Sequence, residues 1–145
     1  VIMVKCCEFK MSSINKYENY KKKYENYIVL IREGVFYKTF NDDAIILWSI
    51  LNYKLNNNSL SFTINVASKV FDSLHLKKIG YVIVSDDVIK VPGNSEVYDL
   101  HEKLALHYYD KYTKKNELSA MLDKILDDDS NYEKVCNFFS ELITK

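Results

Sequence analysis

Glycine is scarce in this chain, three in 145 residues, and proline occurs once. With glycine only at 34, 80 and 93, no glycine-rich loop can surround a phosphate with backbone amides, which excludes a P-loop nucleotide hydrolase. A Gly-x-Ser-x-Gly nucleophile turn is excluded on the same ground. Cysteine is also sparse, three in all, and adjacent Cys6-Cys7 is a spacing that seldom closes a disulfide, so reduced thiols are expected. Neither Cys-x-x-Cys nor His-x-x-x-His occurs around His75, His101 or His107, and no metal or cofactor is expected. No apolar run approaches the roughly 18 residues that span a bilayer. The segment Val1–Lys5 is too short for the apolar region of a secretory signal, so the expectation is a cytoplasmic protein without a membrane span. Net charge is lacking too: 20 Lys and Arg balance 20 Asp and Glu, which argues against a globally basic nucleic-acid binder.

What is present is 48% hydrophobic and 28% charged residues with twelve tyrosines, in a length that suits one compact globule. The zero charge is a sum of two opposed regions. Through Lys90 there are 13 basic and 9 acidic residues, net +4; from Val91 there are 7 and 11, net −4. The pattern changes at the same place, around Pro92. The first region alternates β-rich runs with helical periods, and the second carries helical periodicity alone. This predicts an α/β (α+β) domain over residues 12–92, a mixed β-sheet flanked by helices, followed by a helical C-terminal extension over 93–145.

Ser12 or Ser13 can cap a helix through about Tyr24, with Ile14, Tyr17, Tyr20 and Tyr24 on one face. Tyr27–Arg32 is a continuous apolar run, as in a central strand covered on both faces. Gly34 permits a turn before a short strand Val35–Thr39. Asn41 can cap the next helix, with Asp42 and Asp43 at its positive end and Phe40 stapled to Ile45. After the turn Asn56-Asn57-Asn58 come a strand Leu60–Ile64 and a helix from Asn65 to Lys78, closed by a left-handed Gly80. Strands Tyr81–Val84 and Val88–Val91 follow. The extension reads as a long helix from Ser95 and a break near Thr113–Asn116. Beyond it come a helix with Leu118, Met121, Leu122, Ile125 and Leu126 inward and a last helix opened by a Ser130–Glu133 capping box.

The acidic clusters Asp42-Asp43, Asp86-Asp87 and Asp127-Asp128-Asp129 can hold metal in a nuclease, but a helix start, a hairpin turn and a solvated helix end account for them better. No enzyme is expected. Lys21-Lys22-Lys23 reads as a solvated helix face.

One ordered run goes further. Tyr20, Lys23-Tyr24, Tyr27–Arg32, Gly34, Phe36-Tyr37, Phe40 and Asp43-Ala44 together resemble the N-terminal mismatch-recognition domain of MutS DNA mismatch-repair proteins. The family has a lysine-containing helix, an apolar strand, Arg-x-Gly-Asp-Phe-Tyr-Glu-x-Phe and an Asp-Ala at a helix start. The resemblance extends over about residues 17–88. It implies that Phe36 matches an aromatic that wedges into DNA and stacks on a mispaired base. Such stacking is worth about 1–3 kcal/mol and tolerates any base. Two positions depart from the family: Lys38 stands where it has Glu, and Val35 where it has Asp. Lysine donates and cannot accept a base N–H, so Lys38 is expected on a base acceptor or a phosphate, with less discrimination among mispairs. The residues Phe36-Tyr37 also read as the core of a small strand, in which Tyr37 faces inward.

The resemblance implies a non-enzymatic binder of mispaired, bulged or single-stranded DNA. The clamp, lever and ATPase of MutS have no counterpart in these residues, so no ATP is expected. The alternative is a protein-interaction module that kept the fold and lost DNA binding, meeting a protein partner or a second copy through the helical tail, where Tyr108, Tyr109 and Tyr112 look exposed.

Overall fold

The computed structural model describes residues 12–144. The Cys6-Cys7 pair and the first residues, on which the signal-segment reading rests, lie outside them. Two compact units divide the chain, one running to Tyr108 and the other from Tyr109. No helix among the described residues is long and apolar enough to cross a membrane.

The first unit contains helices α1 (Ser13–Lys23), α2 (Asn41–Leu51) and α3 (Ala67–Lys77), with strands β1 (Ile28–Glu33), β2 (Phe36–Phe40), β3 (Ser59–Thr63), β4 (Tyr81–Val84) and β5 (Val88–Val91). It also holds the start of the long helix α4 (Ser95–Leu126). The strands form one mixed sheet in the order β3-β2-β1-β4-β5, in which β1 and β4 are parallel and the other neighbours antiparallel. Strand β1 is central, and its first four residues are buried, as its unbroken apolar run requires. On one side Val29, Ile31, Val82 and Val84 form a core with Tyr17 of α1. Tyr37 stacks on Phe62 and meets Phe71 of α3 edge-on. The expected α+β class with a mixed sheet is the observed one.

Several local expectations give way to tertiary structure. Asn41 does not cap α2, because it is already the helix's first residue; its φ of 52° is the left-handed conformation that asparagine tolerates, and its N–H donates to the Asn58 carbonyl at 2.7 Å. Phe40 takes the cap position without a side-chain bond, and its ring lies 5.5 Å from Tyr17. Asn65 does not cap α3 either, because the Val66 and Ala67 amides already donate to the Thr63 and Ile64 carbonyls and Val66 holds the cap position. The left-handed residue that closes α3 is Lys78, φ 60°, rather than Gly80. Gly80 is needed for a different reason. A Cβ there would come within 2.8 Å of the Gly93 nitrogen and the Tyr27 ring, so the chain entering α4 lies directly on it.

Asn94 opens α4 by accepting the amides of Glu96 and Val97, at 2.9 and 3.2 Å. No break occurs at Thr113–Asn116. The segment holds no Gly or Pro, Thr113 bonds back to the Asp110 carbonyl, and Lys114 pairs with Asp110 at 2.9 Å one turn away. Leu118, Met121 and Ile125, expected inward, are exposed, while Leu122 and Leu126 are half-buried. The second unit consists of the end of α4, a 3-10 turn (Asp129–Asn131) and α5 (Tyr132–Thr144), too little surface to enclose them. The Ser130–Glu133 capping box is absent because Asp128 accepts both the Ser130 amide and hydroxyl, which leaves that hydroxyl no part in capping α5.

The most consequential departure is at Asp43. Its carboxylate is fully buried, and both oxygens accept two donors. Oδ1 takes the Lys21 ammonium at 2.9 Å and the Tyr98 hydroxyl at 2.7 Å; Oδ2 takes the Tyr17 hydroxyl at 2.8 Å and the Val29 amide at 3.1 Å. Lys21, half-buried, also reaches the Tyr27 carbonyl and lies 4.6 Å from the Tyr98 ring centroid. It is therefore not part of a solvated lysine face, unlike exposed Lys22 and Lys23. Burial pushes the Asp43 carboxyl up, opposed by Lys21, Tyr98 and Val29. Four donors around two oxygens leave no acceptor site for a carboxyl proton, so the geometry selects the ionised form at neutral pH. The network ties α1, β1, α2 and α4 together.

Burial, then the Asp43 charge and hydrogen bond, push the Tyr17 and Tyr98 hydroxyls far above their ordinary value of 10. Because the folded pKa values exceed the unfolded ones, the stability linked to these hydroxyls is complete below pH 10 and is lost as pH rises above it. Phenolate absorbance followed alongside circular dichroism is expected to show Tyr17 and Tyr98 ionising only with alkaline unfolding. Ionisation of all twelve tyrosines in a still-folded protein would contradict this.

Candidate nucleic-acid interface

Strands β1 and β2 are joined by the two-residue loop Gly34-Val35, since Glu33 and Phe36 face each other in register. Gly34 takes φ 57° at the first loop position, where a tight hairpin turn demands glycine. The turn places Phe36 at the start of β2, with its side chain 43% exposed. Val35, at 54%, and Ile64, at 41%, are exposed beside it, because the Ile64 amide donates to the Val35 carbonyl at 2.9 Å. Tyr37 turns to the other face and is buried, as alternation predicts. The hairpin thus presents one aromatic ring and two aliphatic side chains to solvent and commits the next aromatic to the core.

Lys38 lies on the Phe36 face, in register with Ile31 and Ser61. Its ammonium pairs with Glu33 at 3.1 Å, both side chains being about two-fifths exposed. Composition and spacing do not mark Glu33, but the hairpin register does. It sits directly opposite Phe36, which makes it the diagonal neighbour of Lys38. An exposed pair of this kind is worth about 0.2–1 kcal/mol, so Lys38 can exchange Glu33 for a phosphate at small cost.

Arg32 is a second surface group, which its place in the apolar run of β1 conceals. It is exposed, its Nε donates to the Gly34 carbonyl at 3.4 Å, and its guanidinium lies 5.6 Å from the Tyr37 ring centroid. Among the described residues no group of three or more His, Cys, Asp or Glu could hold a metal ion.

A five-stranded mixed sheet with helices, carrying an exposed aromatic on a glycine hairpin beside basic side chains, defines the class as an α+β domain. Residues 11–80 match the family model described as MutS domain I. Over those residues the chain resembles the mismatch-recognition domain of MutS, and the match takes in the hairpin with Phe36 and Lys38 and the α2 start with Asp43. No curated protein matches the chain.

Proposed function

We propose that the protein is a non-enzymatic binder of mispaired, bulged or single-stranded DNA in which Phe36 stacks on a base and Lys38 contacts a phosphate or a base acceptor. The observation that carries this reading is the exposure of Phe36 at a hairpin tip while neighbouring Tyr37 is packed away. An exposed phenyl ring beside lysine and arginine is the combination that holds unstacked bases, by π-stacking and backbone neutralisation together. With lysine in place of a carboxylate, affinity rises through phosphate attraction and discrimination among mispairs falls.

Fluorescence anisotropy with a labelled bulged duplex tests this. Phe36→Ala is expected to weaken binding by about 5- to 150-fold, the equivalent of one lost base–aromatic stack. Equal affinity of the variant and the parent would remove the wedge. Concentration-dependent self-association by sedimentation, with no affinity for DNA, would favour the interaction module instead. The exposed Phe138, Phe139, Leu142 and Ile143 on α5 are the observation behind that second reading.

A further inference from the structure

A polar pocket of about 350 Å³ opens beside the Phe36 hairpin, lined by Lys16, Arg32, Gly34, Ser85 and Asp86. We propose that it holds one phosphodiester of the DNA strand whose base meets Phe36. The proposal rests on the DNA-binding reading and adds a second contact to it.

Topology puts the pocket in a favourable place. Strands β1 and β4 are parallel neighbours, ending at Glu33 and Val84, and the pocket residues Gly34 and Ser85 follow directly after them. From these ends the chain departs in opposite directions, to β2 on one side of the pair and to β5 on the other. Crevices beyond the carboxyl ends of parallel strands at such a reversal are where open sheets bind ligands.

The chemistry selects an anion. Neither Lys16 nor Arg32 has an ion-pair partner among the described residues. Arg32 is aimed by its Nε bond to the Gly34 carbonyl and by the Tyr37 ring, and its two terminal amino groups remain available for the fork geometry that suits phosphate. The lining sums to two cations and the Asp86 carboxylate, net +1. That balances the single charge of a phosphodiester, whereas a dianionic terminal phosphate would leave Asp86 facing excess negative charge. Gly34 is two residues from Phe36, so at extended-chain reach the pocket lies within roughly 7 Å of backbone from the stacking residue. One strand can engage both.

The salt dependence of binding by the full chain to the labelled bulged duplex is the test. Removing one phosphate contact lowers the slope of log K against log salt by about 0.9 and costs about 15-fold in affinity at 50 mM salt but only about 4-fold at 200 mM. Lys16→Gln and Arg32→Gln are each expected to do this, with native circular dichroism. Asp86→Asn is expected to tighten binding. Lys54→Gln, at the opposite end of the sheet from the hairpin tip, is expected to leave the slope unchanged. Inorganic phosphate at matched ionic strength is expected not to compete. Unchanged slopes in both Lys16→Gln and Arg32→Gln, while Phe36→Ala still weakens binding, overturn the pocket and leave the wedge standing. Phosphate competition that depends on Lys16 and Arg32 also overturns it, in favour of a free-phosphate site. Absence of DNA binding by the parent chain overturns the wedge and the pocket together.

Discussion

A chain ending at Pro92 is expected to lose its cooperative unfolding transition, and one ending at Tyr108 to keep it. The family match stops at residue 80, and the change in sequence pattern suggests that the fold stops near 92, but Tyr98 is 1% exposed and donates to buried Asp43. Removing it forfeits the burial of a large aromatic, about 3–5 kcal/mol, and a hydrogen bond to a charged acceptor, about 1.5–3 kcal/mol. The contact of Gly93 on Gly80 and the Asn94 amide bond to the Lys78 carbonyl go with it. Domains of this size have only about 5–15 kcal/mol of total stability, so the loss takes half or more. Thermal and urea melts of the two truncations, followed by near-UV circular dichroism, decide it. A sharp transition in the shorter chain within a few degrees of the longer one would make the start of α4 dispensable.

The parts of the fold that could be read in the sequence are those fixed by local chemistry. The apolar run of β1 demanded cover on both faces, Gly34 demanded a turn, and alternation sent Tyr37 inward. The local signals that mislead are caps: Asn41 lies one residue inside α2 in a left-handed conformation, the amides that Asn65 would cap are taken by backbone carbonyls, and the Ser130 hydroxyl is claimed by Asp128. The apolar pattern of Leu118, Met121 and Ile125 predicts an inward face, but the second unit offers nothing that encloses them. Asp43 was invisible for a different reason. As the third residue of α2 it looks like an ordinary acid at a helix start, and its partners Lys21 and Tyr98 lie 22 and 55 residues away. At the candidate site, the aromatic and the lysine were legible, and the Glu33 pairing was recoverable from hairpin register. The juxtaposition of Lys16, Arg32 and Asp86 is not, because it depends on how the first turns of α1 lie against the ends of β1 and β4.

The three consecutive lysines of α1 are expected to behave very differently. Lys21→Met should destabilise the protein by about 3–5 kcal/mol, the cost of leaving a buried carboxylate without its counter-charge. Lys22→Met, on the exposed face, should change stability by no more than about 0.5 kcal/mol. Urea unfolding at pH 7 separates the two by midpoint alone. The pH dependence identifies the cause. In the parent, burial raises the Asp43 pKa and Lys21 is the largest influence holding it down, so the variant's folded pKa lies still further above the ordinary 3.8. A carboxyl with a raised folded pKa binds protons more readily in the folded state. The stability it gives is therefore present in full below the unfolded value and lost as pH rises through the folded one. The deficit of Lys21→Met relative to the parent should consequently be greatest at pH 7 and narrow toward pH 4, as Asp43 takes up a proton in the variant. A deficit below about 1 kcal/mol at pH 7, or one that does not change with pH, would mean that Tyr17, Tyr98 and the Val29 amide hold the carboxylate without Lys21.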